Sequence, residues 1–215
     1  MPKKVENKKC RQQHLELKIY KSFNDQEAAE WGKKYYGDWL IKLQNQEYKP
    51  MKPCEEFFRY YTQGVDYVFN NILRYSSIDE YDFDNSGFSK EMFYDSFVEI
   101  NRHRLCEDIV VYRYVYKDLL SAMKKWSNVY FIRKNIILTD RGYFSTTLCL
   151  DSVIGRPYAT LKKHTLFKIY VPKGTPCAYV DLVADMGERE MLFLPNIRLR
   201  VIHNFYKYIE CIVEI

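Results

Sequence analysis

The chain has 215 residues, 47% of them hydrophobic and 28% charged, which allows a sizeable core and argues against a disordered chain. The net charge of +5 sits mostly at the start: residues 1–20 hold Lys3, Lys4, Lys8, Lys9, Arg11 and Lys18 against Glu6 and Glu16. The remainder is near neutral, and no basic stripe continues into it to favour nucleic acid.

Residues 1–18 read as a solvated basic tail and 19–215 as one folded unit. The six cysteines show no Cys-x-x-Cys spacing and read as reduced thiols; the four histidines give no zinc pattern, so no metal is expected. No apolar run reaches the roughly 18 residues of a membrane span, and the N-terminus lacks the apolar core of a signal peptide. The 20 tyrosines suit a half-buried sheet face, or a pocket that stacks on flat ligands.

Residues 19–104 read as mainly helical. Asn24-Asp25-Gln26-Glu27 places a cap residue three positions before a glutamate, and Ala28, Trp31, Tyr35, Trp39 and Leu43 then form one apolar face. A second helix is expected over Glu55 to Tyr75, with Phe57, Phe58, Tyr61, Val65, Val68, Ile72 and Leu73 inward. A third follows Ser89, carrying Met92, Phe93, Phe97 and Ile100. Between these two helices, Asp82, Asp84, Ser86 and Gly87 match the opening of a calcium loop. The bidentate glutamate such a loop requires is replaced by Phe93, so the segment reads as a turn.

Residues 105–215 change to short strands. Candidates are Ile109–Val115, Gly142–Leu150, Thr165–Val171, Ala178–Val183, Met191–Leu194, Leu199–Phe205 and Tyr208–Val213, with a short helix over Tyr116–Trp126. Turn signals such as Pro172-Lys173-Gly174-Thr175-Pro176 and Pro195-Asn196 separate them. The expected architecture is α+β: an N-terminal helical lobe packed on a two-sheet antiparallel β-sandwich.

Three features could carry chemistry. Arg113 lies inside the apolar run Val110–Val115 and needs an anionic or carbonyl partner, supplied by a neighbouring carboxylate or by a bound phosphate. Ser145-Thr146-Thr147 follows Gly142-Tyr143-Phe144; it lacks the Gly-x-Ser-x-Gly elbow of a serine nucleophile and suits either cross-strand hydroxyl pairing or a site. Glu188-Arg189-Glu190 opens an apolar strand, and alternation puts both glutamates on one face, either as a solvated entrance or as a pair dividing acid–base work. Rossmann and P-loop glycine patterns are lacking.

Taken in order, a strand Tyr112-Arg113, an aromatic-Ser-Thr-Thr strand and a Glu-x-Glu strand entrance resemble the Arg–Ser–Glu class of mono-ADP-ribosyltransferases. More narrowly they resemble its bacterial exoenzyme branch, which includes the actin-modifying subunits of binary toxins. Glu27-Ala28-Ala29-Glu30-Trp31-Gly32, Tyr60-Tyr61-Thr62-x-Gly64 with Asn70-Asn71-Ile72-Leu73-Arg74, and Ile169-Tyr170-Val171-Pro172-Lys173-Gly174-Thr175 with Ala178-Tyr179-Val180 extend the likeness over about residues 20 to 215.

The resemblance implies a single catalytic domain that uses NAD as co-substrate. Glu190 would stabilise the ribosyl cation, Arg113 hold the pyrophosphate or adjacent ribose, Ser145 orient Glu190, and Glu188 take the acceptor's proton. Further NAD contacts are implied for Tyr61, Asn71, Gly142, Thr146 and Lys163. Thr147 stands where the family usually has serine, Tyr114 where some relatives have a second arginine, and Lys163 where some carry arginine. The Glu-x-Glu form implies an arginine acceptor on a target protein, such as host actin. The family resemblance as a whole implies a monomer that is secreted or injected and acts in the host cytoplasm. NAD glycohydrolysis and a non-catalytic binding domain of the same fold are the alternatives.

Overall fold

The computed structural model of the protein describes residues 20–44, 51–84, 86–154, 164–184, 187–205 and 208–215. The basic tail, Lys163 and the Asp185-Met186 pair therefore lie outside the described residues.

Helix α1 spans Asp25–Gln44. Its entrance is a reciprocal cap: Glu27 N–H donates to Asn24 Oδ1 at 2.9 Å, and Asn24 N–H to Glu27 Oε2 at 3.0 Å. The buried face runs through Ala28, Trp31, Tyr36 and Leu40, whereas Tyr35 is 42% exposed. The expected stripe through Tyr35 is thus corrected. Steps of four from Ala28 pass through Gly32 and stay against the sheet, while the step from Trp31 to Tyr35 turns outward.

The expected helix over Glu55 to Tyr75 is two. Helix α2 (Pro53–Tyr60) and helix α3 (Asp66–Tyr75) flank a widened helical turn at Tyr61–Val65. Gln63 (φ −92°, ψ 16°) and Gly64 (φ +87°) leave helical geometry there. The left-handed backbone at Gly64 is accessible because glycine has no Cβ. Helix α4 (Lys90–Arg102) follows Ser89 as expected and buries Met92, Phe93 and Ile100. In the preceding turn, Asp84 N–H donates to Asp82 Oδ1 at 3.0 Å, an Asx turn.

The strands are β1 (Ile109–Tyr116), β2 (Ile137–Asp140), β3 (Phe144–Thr147), β4 (His164–Val171), β5 (Cys177–Tyr179), β6 (Glu190–Phe193), β7 (Ile197–Phe205) and β8 (Tyr208–Val213). Helix α5 (Lys117–Trp126) follows β1, and one-turn helices α6 (Asp151–Ile154) and α7 (Asp181–Ala184) follow β3 and β5. The two-sheet antiparallel sandwich is not what forms. The strands make one eight-stranded mixed sheet in the order β2-β7-β8-β4-β1-β3-β6-β5. The cause is β4, which pairs antiparallel with β1 along one edge and parallel with β8 along the other, joining the two strand groups. Strand β2 is absent from the sequence reading; at four residues its alternation is too short to register.

One core cluster takes residues from both halves, including Trp31, Phe57 and Phe93 from helices and Val111, Phe167 and Leu192 from strands. The ring of Tyr179 fills the space over Gly32, where a methyl group would overlap it, and Trp31 and Tyr36 pack around the same ring. Gly32→Ala should therefore force α1 off the sheet and cost about 1–3 kcal/mol, as overpacking does. Urea unfolding checks this; a midpoint equal to the native one refutes the close approach.

Candidate active site

Three strands distant in sequence lie side by side as β1-β3-β6. Tyr112 pairs with Thr147, and Thr147 with Glu190, so Arg113, Ser145 and Glu190 come from neighbouring positions on adjacent strands. Arg113 Nη1 donates to the Ser145 carbonyl at 2.9 Å, and its guanidinium lies 4.4 Å from the Phe144 ring centroid. Burial lowers its pKa, and among the described residues no carboxylate lies within ion-pair distance of it.

Glu188 and Glu190 both line the cavity, as expected, but not by strand alternation. Strand β6 begins only at Glu190, and Arg189 has a left-handed backbone at φ +53°. This segment is fixed from several sides. Asp181 Oδ1 accepts Glu188 N–H at 2.8 Å, and Thr147 Oγ1 donates to the Glu188 carbonyl at 2.7 Å. Leu148 N–H donates to the Arg189 carbonyl, and Val180 N–H to that of Glu190, both at 3.0 Å. The hydroxyl at position 147 thus anchors the segment that carries the glutamates.

The cavity has two chambers. One, of about 390 Å³, is walled by Arg113, Tyr114, Tyr116 and His164; the other, of about 660 Å³, by Tyr61, Gly64 and Asp181. They meet at Asp66, Ser145, Glu188 and Glu190. Such volumes suit an organic ligand. A cation stands in the first chamber and carboxylates at the junction, which suits a ligand with an anionic part and a cationic part.

The Glu190 carboxyl is pushed up to about 7. Desolvation is the largest cause; the hydrogen bond from Ser145 opposes it, and the charges of Glu188, Asp66 and Asp181 add to it. Asp66 is raised as well, chiefly by burial. Among the described residues, no group of His, Cys, Asp and Glu side chains could hold a metal ion, and no helix is long and apolar enough to cross a membrane.

The remaining expected residues divide. Tyr61 is buried in the wall of the larger chamber, and Thr146 lines the smaller one while its hydroxyl donates to the Met191 carbonyl at 3.2 Å. Asn71 is exposed and lines neither chamber; its neighbour Asn70, about 100° round the helix, is buried and donates to the Tyr61 hydroxyl at 3.5 Å. Gly142 also lines neither chamber. It sits where a methyl would overlap Asn70 Oδ1 and Arg74 Nε, and its N–H donates to Asp140 Oδ1 at 3.0 Å. Arg74 closes a buried two-point pair with Asp140, at 2.9 and 2.7 Å, so it braces the turn before β3. Asp66 and Asp181 escaped sequence reading. Asp66 falls inside the helix expected over Glu55 to Tyr75 and Asp181 inside the strand expected over Ala178–Val183; each instead opens a helix of its own, the second a single turn.

A family profile described as ADP-ribosyltransferase exoenzyme matches residues 28–206. No curated protein matches the chain in sequence. Among solved structures, the C3 exoenzyme of Clostridium limosum is 16% identical, covers 92% of this chain and 98% of its own, and has a TM-score of 0.68. C3stau2 from S. aureus, solved with NAD, is 21% identical over 91% of this chain and 98% of its own, with a TM-score of 0.61. BECa of a C. perfringens binary enterotoxin, solved with NADH, is 16% identical, with a TM-score of 0.66; the match covers 90% of this chain and 50% of BECa. At these identities the structures establish the fold alone.

The titration of Glu190 predicts how stability varies with pH. Its folded pKa, about 7, lies above the ordinary value of 4.5, so the fold binds this proton more tightly than the unfolded chain does. That stability is fully present below the ordinary value and is lost as pH rises through about 7. Glu190→Gln, which cannot ionise, should raise Tm at about pH 8, with the gain vanishing toward about pH 4.5. Thermal melts across that range check it; a gain independent of pH would contradict the cause assigned.

Proposed function

The chain belongs to the ADP-ribosyltransferase exoenzyme family, and we propose that it cleaves NAD and transfers ADP-ribose to an arginine side chain of a target protein. The observation that carries this reading is the meeting of Arg113, Ser145, Glu188 and Glu190 around one cavity, where Ser145 favours the ionised form of Glu190. The residues fit NAD. Arg113, which lacks a described carboxylate partner, suits its pyrophosphate, and the carboxylates suit its cationic nicotinamide–ribose end. Tyr61 and Thr146, which line the cavity, and Lys163 are the further contacts we assign to NAD.

Breaking the bond from ribose C1′ to nicotinamide nitrogen leaves positive charge on the ribose, as in glycoside cleavage, and releases neutral nicotinamide. An ionised Glu190 stabilises that charge where it develops, in a partly dehydrated site that strengthens the attraction. Ser145 favours the ionised form by hydrogen bonding and fixes the carboxylate's direction. A guanidinium nitrogen of the acceptor then attacks C1′, and its proton passes to Glu188. The arginine choice rests on the Glu-x-Glu pattern, which in this family goes with arginine acceptors. Water reaching the same cation gives hydrolysis, so some free ADP-ribose is expected beside transfer.

The test is labelled NAD incubated with a host lysate and either the native chain, Glu190→Ala or Glu188→Gln. Glu190→Ala should lower nicotinamide release by about 10²–10³-fold, the usual loss when a transition-state charge partner goes. Glu188→Gln should lower protein labelling by about 10²-fold while hydrolysis persists. Nicotinamide release should increase with pH through about 7 as Glu190 ionises. No turnover by the native chain at any pH would sink the enzyme reading, and full labelling by Glu188→Gln would remove its assigned proton transfer.

A further inference from the structure

Arg189 stands between the two glutamates, yet lines neither chamber. Its guanidinium, 17% exposed, reaches the opposite way. Nη1 donates to Asp181 Oδ2 at 3.0 Å, Nη2 to Asp25 Oδ2 at 2.8 Å, and Nε to Asp25 Oδ1 at 3.0 Å. Asp25 opens α1 and Asp181 opens α7, so one side chain ties the first turns of two helices to the segment that carries the glutamates. Asp181 is 4% exposed, and its second oxygen accepts Glu188 N–H. A left-handed backbone at a residue with a Cβ is unfavourable, and here it accompanies this clamp.

The two glutamates depend on the clamp unequally. Glu190 belongs to the β6 ladder, paired with Thr147 and bonded through its carbonyl to Val180. Glu188 lies outside the ladder; its backbone hangs on Thr147 and on Asp181, and Asp181 is itself held by Arg189. We infer that Arg189 is a positioning residue that sets Glu188 against Glu190, so that α1, through Asp25, governs how the cleaved ADP-ribose divides between a protein acceptor and water. The inference rests on the transferase reading.

The clean variant is Arg189→Asn, because asparagine tolerates the left-handed backbone while removing the charge. Protein labelling should fall by about tenfold or more, and nicotinamide release by no more than about threefold, since small misplacement harms the acceptor step most. Asp25→Asn, at an exposed position that lines neither chamber, should shift the same ratio in the same direction. It should add little in the Arg189→Asn background, as coupled sites behave in a double-mutant cycle. The KM for NAD should stay near the native value in both variants, which general loosening of the site would not leave untouched. Equal loss of labelling and release overturns the inference, as does a fully additive Asp25 effect. If Arg189→Asn does not fold, the labelling-to-release ratio of Asp25→Asn decides alone. A native chain that neither releases nicotinamide nor labels protein is a separate outcome, and it sinks the transferase reading together with this one.

Discussion

The backbone pairing of β3 with β1 on one edge and β6 on the other holds the site together. Neighbouring strands lie roughly 4.8 Å apart, so this pairing alone brings side chains from positions 113, 145 and 190 within reach of one ligand. It also makes the site sensitive to register. A slip of one residue in β3 would turn Ser145 to the opposite face and leave Glu190 without its hydroxyl. The buried Arg74–Asp140 pair guards against that slip by fixing the turn that feeds β3, and Gly142 allows Arg74 and Asn70 to pack directly on that turn.

The helical half completes the cavity rather than founding it. The break at Gly64 starts α3 afresh, so that Asp66 opens it facing the junction of the two chambers and Tyr61 faces the larger one. The result is a divided electrostatic field. One guanidinium stands in the smaller chamber, and Asp66, Glu188 and Glu190 crowd the junction, where burial raises the pKa of Asp66 and of Glu190 and the neighbouring carboxylates add to the rise at Glu190.

Much of this was legible in the sequence where the signal is local. The α1 cap, the helix after Ser89, and strands β1, β4 and β8 follow from caps and periodicity, with ends within a residue or two. Arg113, Ser145, Glu188 and Glu190 were legible because their order and setting match a family pattern. What was not legible depends on contacts between distant segments. The parallel pairing of β4 with β8 merges two expected sheets into one, and no pattern inside either strand announces it. That Asn70 is buried and Asn71 exposed depends on the phase of α3, which is reset at the break by Gly64. The two glutamates face the cavity for a reason alternation does not supply, because Arg189 turns the chain through a left-handed step, and its partner Asp25 lies 164 residues away.

The position of Glu190 on the pH scale also ties the site to the surrounding medium. A carboxyl that titrates near 7 is a mixture of two charge states in a neutral solution. Any cation brought against it draws the mixture toward the ionised form, and the displaced proton must leave to the buffer. Ligand entry is then a proton-release event, and its heat, read in a calorimeter, should vary with the ionisation enthalpy of the buffer. The same coupling makes the affinity of the cavity for cations weaken in acidified compartments, with no change in the shape of the fold.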